Sequence, residues 1–367
     1  MTTPFFGRSA AALVLAAGLL SPLGAQAQDV AEIGGLAENM IVVSNPGSSS
    51  YNDLLYRANR SPGSVYNGIV NLWFRNASGA VVSGCTGSLL SNRQILTAAH
   101  CVSNGSSLTS TSFTARFYEE GRGWVDINGS GYAVKSGYGL TTSAINENDV
   151  AVLTLGENAP SFARKYSLAV GNVLNQQTTL AGYGRTGNIN TGTQISSNQF
   201  NDQAFLRTGV NTFETTCRSG GVCATALNSS PGTYGGVLFG DFDRSGVSSA
   251  GVVCNSFGFC NAGYSDNREV TIGPGDSGSA SFLADWTISG VASFGQINNV
   301  TQRIGGLEGY FYGYTCVANV EGNAGCQSNY NFVMENVEVE VPEPASLGLV
   351  GIGLFGLAAA ARRRRAA

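Results

Sequence analysis

One histidine and two lysines, Lys135 and Lys165, are all that a chain of 367 residues contains of those types. Charged residues make up 12% of it and the net charge is −4, so no basic face exists for nucleic acid. The eight cysteines contain no Cys-x-x-Cys pair, and a single imidazole leaves zinc without a ligand set. No cofactor motif is present, and no repeat of solenoid or propeller period can be found.

What the chain has in quantity is glycine, with 50 residues, accompanied by Ser, Thr and Asn. That composition describes many short strands and turns, an all-β chain rather than a helical bundle. Ile69-Val70-Asn71-Leu72-Trp73-Phe74 reads as a strand, Asn76-Ala77-Ser78-Gly79 as a turn, and Ala80-Val81-Val82 as the start of the next strand. Val150 to Leu155 is an almost continuous apolar run, as in a strand buried on both faces. A polar link, Ser161 to Asn175, precedes a second strand-rich half starting near Thr178. Within that half, Thr208 to Tyr264 reads as a long Cys- and Gly-rich insertion.

Both ends read as targeting segments. Arg8, the apolar run Ala10 to Leu20 and Ala25-Gln26-Ala27 form a signal peptide over residues 1–27. Residues 28–60 follow as a propeptide or an ordered arm. Residues 61–335 are the folded body, and residues 336–367 are a linker and tail. In the tail, Val341-Pro342-Glu343-Pro344 precedes an apolar helix over 345–361 and the arginines 362–365, a charge order that keeps the tail cytoplasmic while the body is outside. Export makes disulfides available. Eight cysteines allow 105 pairings, and spacing suggests the local ones: Cys85 with Cys101, Cys217 with Cys223, Cys254 with Cys260, and Cys316 with Cys326.

The lone histidine lies in Thr97-Ala98-Ala99-His100-Cys101, and Gly275-Asp276-Ser277-Gly278 lies far downstream. A serine hydroxyl is a weak nucleophile until a base takes its proton, which imidazole does near neutral pH. Glycines around Ser277 permit a tight turn whose N–H groups point at a developing negative charge. Asp149 opens the apolar Val150–Leu155 run, where an ionised carboxylate needs a donor that an imidazole N–H could supply.

These three segments, in this order, resemble the signature segments of trypsin-like (chymotrypsin-fold) serine proteases. Cys85 and Cys101 have the spacing of that family's bridge beside the base. Ala181-Gly182-Tyr183-Gly184 resembles its Gly-Trp-Gly strand, and Ser293-Phe294-Gly295 its substrate-pairing Ser-Trp-Gly segment. The resemblance spans about Val65 to Val320. It implies two packed six-stranded antiparallel β-barrels, about 65–160 and 176–330. It also implies His100 as base then acid, Asp149 as its orienting partner, Ser277 as nucleophile, and the N–H groups of Gly275 and Ser277 as the oxyanion hole. Substrate contacts fall to Thr271, Ser293, Phe294 and Gly295, and no metal is required. The tail resembles the PEP-CTERM sorting signal of Gram-negative bacteria. That likeness implies an exosortase-type processing enzyme, transient membrane association, and a secreted or cell-surface product.

Departures from the family carry information of their own. Thr271 stands where trypsin-type enzymes place an aspartate, which disfavours cleavage after Arg or Lys and favours a neutral residue. Gly273 replaces a pocket-wall cysteine, and Ser279 a glycine. Asp276 resembles the carboxylate that pairs with a freshly cut amino terminus. No Ile-Val-Gly-Gly start lies at the family's distance, Met40-Ile41-Val42-Val43 being too far upstream, and Arg57 or Arg60 is a candidate processing site. Asp241-Phe242-Asp243-Arg244-Ser245-Gly246 resembles half of a calcium loop. Val252 stands where an EF-hand needs a bidentate Glu, so calcium at Asp241 and Asp243 is the weaker reading beside a capped acidic turn. The expected function is an exported serine endopeptidase acting on polypeptides. The alternative is a catalytically inactive homologue acting as a surface or matrix binding module.

Overall fold

The computed structural model describes residues 40–43, 56–139, 147–188, 192–193, 205–216, 235–242, 264, 268–273, 275–297 and 310–338. The signal peptide, the sorting tail, Cys217, Cys223, Cys254, Cys260 and Asp243 lie outside them. So does the side chain of Asp241.

The first strand, β1 (Met40–Val43), belongs to the arm. Six strands follow: β2 (Ile69–Arg75), β3 (Val81–Leu89), β4 (Gln94–Thr97), β5 (Ser112–Glu119), β6 (Gly123–Val134) and β7 (Ala151–Leu155). They close into an antiparallel barrel in the order β2-β3-β4-β7-β6-β5. Apolar side chains fill it: Leu72, Phe74, Leu96, Phe113, Phe117, Val152 and Leu153 are all buried. The apolar run starting at Val150 becomes β7, held between β4 and β6.

The second half contains β8 (Gln177–Gly182), β9 (Gly184–Asn188), β10 (Gly192–Thr193), β11 (Arg207–Thr212), β12 (Thr215–Thr216), β13 (Val237–Phe242), β14 (Val270–Thr271), β15 (Ala280–Phe282), β16 (Ile288–Ile297) and β17 (Tyr310–Cys316). Seven of these form an antiparallel sheet in the order β11-β8-β15-β16-β17-β13-β12. A smaller sheet has the order β10-β9-β1-β14, with β1 parallel to β9 and antiparallel to β14. The two-barrel, all-β architecture is therefore present, with the second half as an open half-barrel among the described residues. The expected insertion over Thr208–Tyr264 needs correction. β11, β12 and β13 arise from it, and all three are members of the seven-stranded sheet. One helix, α1 (Ala324–Glu335), follows β17; Asn323 caps it by accepting from the Cys326 N–H.

The halves share a core. Ala181, Tyr183, Phe282, Ile288 and Val291 pack in one cluster with the first barrel's apolar residues, so one apolar core runs across the two halves.

Candidate active site

His100 sits in a short 3-10 turn, Ala99–Cys101, directly after β4. The Cys85–Cys101 disulfide ties that turn back to β3. Asp149 stands just before β7, and the pairing of β4 with β7 (Thr97 opposite Ala151) brings the two loops side by side. The Asp149 carboxylate is buried and accepts three hydrogen bonds. The His100 main-chain N–H reaches Oδ1 at 2.9 Å, His100 Nδ1 lies 2.7 Å from Oδ2, and Ser293 Oγ donates to Oδ2.

Ser293 owes its aim to a bulge. β16 and β17 pair Ala292 with Tyr314 and then Phe294 with Gly313, so Ser293 is the extra residue on its strand. A bulge of this kind redirects a side chain, and here it points the hydroxyl at Asp149. The Ser293 segment was expected to pair with substrate through its backbone; its side chain supports the Asp149 carboxylate.

Burial opposes a charged imidazole at His100, while the charge of Asp149 and its hydrogen bond favour one. The net effect holds the pKa above its ordinary 6.5. Cys85, His100 and Cys101 place ligand-type atoms within 4.8 Å of one another, but the two sulfurs are bonded to each other, which removes them as thiolate ligands.

Thr86 on β3 joins the halves. Its N–H donates to the Ser277 carbonyl at 2.8 Å and its hydroxyl to the Gly275 carbonyl at 3.2 Å, while the Tyr183 N–H donates to that hydroxyl at 3.0 Å. Nothing in the sequence marked Thr86 beyond its place after Cys85. Gly278 takes φ +81°, and a Cβ there would lie 2.0 Å from Thr97 Oγ1 and 2.9 Å from the Ala98 nitrogen. The Ser277 turn is thus pressed against the strand end that leads into His100, and only glycine permits the approach. Gly275 also has positive φ, +94°. The Gly278 N–H donates to the Ala292 carbonyl and the Ser279 N–H to that of Asp276, which fixes the far side of the turn.

Among the expected substrate contacts, Thr271 is buried in β14 opposite Val42. Phe294 is also buried, packs on Phe239 with ring centroids 5.8 Å apart, and lies over Gly313. Gly295 pairs with Tyr312 on β17. Arg60, a candidate processing site, is buried and donates to Asn67 Oδ1, the Tyr118 carbonyl and the Tyr183 hydroxyl. Besides Cys85–Cys101, a second disulfide joins Cys316 to Cys326.

No curated protein matches the chain. Among solved structures it is similar to HL collagenase, with 22% identity, 78% of this chain and 98% of that one covered, and a TM-score of 0.48. It is also similar to neuropsin, a serine protease expressed in the limbic system of mouse brain, with 17% identity, coverage of 77% and 99%, and a TM-score of 0.47. The PEP-CTERM protein-sorting motif matches residues 340–365, marking an exported protein with a C-terminal sorting signal. The family model described as Trypsin matches residues 68–264, more than half of the chain, including His100 and Asp149 and stopping short of Ser277. A closed six-stranded barrel facing a half-barrel, with a carboxylate-bonded imidazole between them, agrees with that match: the chain belongs to the trypsin family.

Proposed function

We propose that this protein is an exported serine endopeptidase that cleaves peptide bonds through Ser277, His100 and Asp149. The observation carrying this reading is the His100–Asp149 hydrogen bond of 2.7 Å, on a carboxylate that is buried and satisfied by three donors. Such a carboxylate holds a proton on Nδ1 and leaves Nε2 free to act as base.

In the first step Ser277 Oγ attacks the scissile carbonyl carbon while His100 takes the hydroxyl proton. The N–H groups of Gly275 and Ser277 stabilise the oxyanion, and a positive-φ glycine on each side of the turn suits that role. His100 then gives its proton to the leaving amine as the C–N bond breaks, leaving an acyl-Ser277 ester. Water, deprotonated by His100, attacks that ester and returns the enzyme with the carboxylic acid product. With Thr271 at the expected pocket position, a neutral residue precedes the cleaved bond.

The PEP-CTERM match supports processing of the tail by an exosortase-type enzyme in a Gram-negative envelope. Before processing, the apolar 345–361 stretch sits in the membrane; afterwards the protease is secreted or stays at the surface. No helix among the described residues is long and apolar enough to cross a membrane. A fluorophosphonate probe tests the central claim: labelling of the parent and its loss in Ser277→Ala are expected, whereas equal labelling of both removes Ser277 from the mechanism.

A further inference from the structure

Thr86 grips the carbonyl oxygens of both residues assigned to the oxyanion hole. Its main-chain N–H donates to the Ser277 carbonyl at 2.8 Å, and its hydroxyl donates to the Gly275 carbonyl at 3.2 Å. Thr86 is fully buried, so neither bond is shared with bulk water. The aim of the hydroxyl is set by its other partner. A threonine hydroxyl has one proton and two lone pairs. The Tyr183 N–H occupies a lone pair at 3.0 Å, which leaves the proton for Gly275. The next amide along, that of Gly184, reaches Asp276 Oδ1 at 2.6 Å. Two consecutive amides at the junction of β8 and β9 thus serve the nucleophile turn, one through Thr86 and one through Asp276.

The peptide joining Gly275 to Asp276 is pinned at both ends. Its oxygen takes the Thr86 hydroxyl, and its N–H donates to the Gly273 carbonyl at 3.0 Å. A peptide unit is planar, so holding both ends fixes the whole plane. That constraint matters at Gly275, because a glycine at φ +94° has no side chain to resist rotation. With the plane leaving Gly275 fixed, the residue keeps one soft rotation on its amino side, where its own N–H lies. The Thr86 carbonyl is engaged as well: it accepts from the Thr97 hydroxyl at 2.9 Å, on the strand that runs into His100. One residue of β3 therefore touches the turn of the nucleophile and the strand of the base, with every polar atom bonded.

We propose that the Thr86 side chain is a positioning residue for the oxyanion hole: by holding the Gly275 carbonyl, its hydroxyl keeps the Gly275 N–H aimed at the substrate oxygen. This rests on the reading of Ser277 as the nucleophile. The effect belongs to the hydroxyl alone, since both main-chain bonds of Thr86 are kept when another β-branched residue takes its place.

The test uses the full chain with Thr86→Val, which keeps the shape and removes the hydroxyl, and with Thr86→Ser, which keeps the hydroxyl. The probes are a peptide with a neutral residue before the cleaved bond and the trifluoromethyl ketone of the same peptide. Ser277 Oγ adds to the ketone carbon, the carbonyl pair moves onto oxygen and the hydroxyl proton passes to His100, so the adduct carries the oxyanion. Thr86→Val is expected to lose about tenfold in kcat with KM little changed, a fraction of the loss when an oxyanion donor is removed outright. Affinity for the ketone should fall by the same factor. The His100 titration should keep its parental midpoint, because Asp149 and its donors are untouched. Thr86→Ser should retain most of the parental kcat. A hydroxyl that serves only stability would lower the melting temperature and leave kcat and ketone affinity at parental values, and that result overturns the proposal. So does a shifted imidazole midpoint, or a serine variant as slow as the valine one. Should valine cost the fold, Thr86→Ala compared with Thr86→Ser reads the same gap of about tenfold. A parent that neither labels with a fluorophosphonate nor turns over any peptide defeats the serine-peptidase reading, whereas a labelling parent with an undiminished valine variant defeats this inference alone.

Discussion

Asp149→Asn offers the sharpest test of the site because the chain has one histidine and therefore one imidazole signal to follow. Three donors converge on the carboxylate: the His100 N–H on Oδ1, and His100 Nδ1 with Ser293 Oγ on Oδ2. A carboxamide has a single acceptor oxygen, so its NH2 must face at least one of those donors. Facing Nδ1, it donates to the ring, and the proton moves to Nε2, where it blocks base catalysis toward Ser277. The known penalty for holding a trypsin-type imidazole in the wrong tautomer is about 10⁴ in kcat, or roughly 5.5 kcal/mol. The donor left without an acceptor should cost about 1–3 kcal/mol of folding stability.

The direction of titration is fixed independently. In the parent, the charge and hydrogen bond of Asp149 outweigh burial and raise the imidazole pKa above 6.5. With the charge gone, burial acts alone and the pKa falls below 6.5. Following the imidazole resonance from acid to base should give a midpoint above 6.5 in the parent and below it in the variant. An unchanged midpoint, or near-parental turnover, would refute the account of how Asp149 works.

Further predictions concern other parts of the molecule. The acid limb of kcat/KM should have its midpoint above 6.5, since His100 must be neutral to act as base. Stability should follow the opposite course: the His100–Asp149 contribution is complete below pH 6.5 and fades as pH rises through the raised pKa, which denaturant melts of Ser277→Ala across that window would reveal. Gly278→Ala puts a Cβ 2.0 Å from Thr97 Oγ1 at φ +81°, and should abolish labelling and lower the melting temperature. Replacing Cys101 and Cys85 with serine opens a link of sequence separation 16 and should cost about 3 kcal/mol in chemical denaturation. Peptide-library profiling should favour neutral residues before the cleaved bond; strong preference for Arg or Lys would contradict the reading of Thr271.

The first barrel was legible because its strands carry apolar side chains in continuous or alternating runs, Val150–Leu155 most plainly. The second half hides its strands. Many of its buried strand positions are polar: Thr178, Asn211, Thr215, Ser281 and Thr315 are all buried. Some of them pair across neighbouring strands, as where Thr178 Oγ1 donates to the Asn211 carbonyl at 3.0 Å and Ser281 Oγ meets Ser289 Oγ at 2.8 Å. Hydrophobic periodicity has little to register in such a strand, so β11 passed for part of an insertion; β13 is apolar at Val237, Leu238 and Phe239, and its place in the sheet comes from pairing with β17 about 70 residues downstream. The site followed the same division. His100, Asp149 and Ser277 stand in motifs, and the local Cys85–Cys101 spacing pointed to a real bridge. Thr86 and the Ser293 bulge depend on pairing between distant strands, which no local window contains. The membership of β1 in a sheet was likewise invisible, since its register is set by β9 and β14, more than 140 residues downstream.

Helix α1 bears on how the folded body is joined to its C-terminal sorting signal. The sorting motif begins only a few residues after its last turn. Asn329, on its buried side, donates to the Glu147 carbonyl at 2.7 Å and the Cys316 carbonyl at 3.0 Å, while Cys326 is bonded covalently to Cys316. A pull on the chain beyond α1 would therefore be shared between the end of β17, through Cys316, and the loop that leads to Asp149, through Glu147. The fold thus meets a load at its C-terminal end with one covalent bond and two hydrogen bonds.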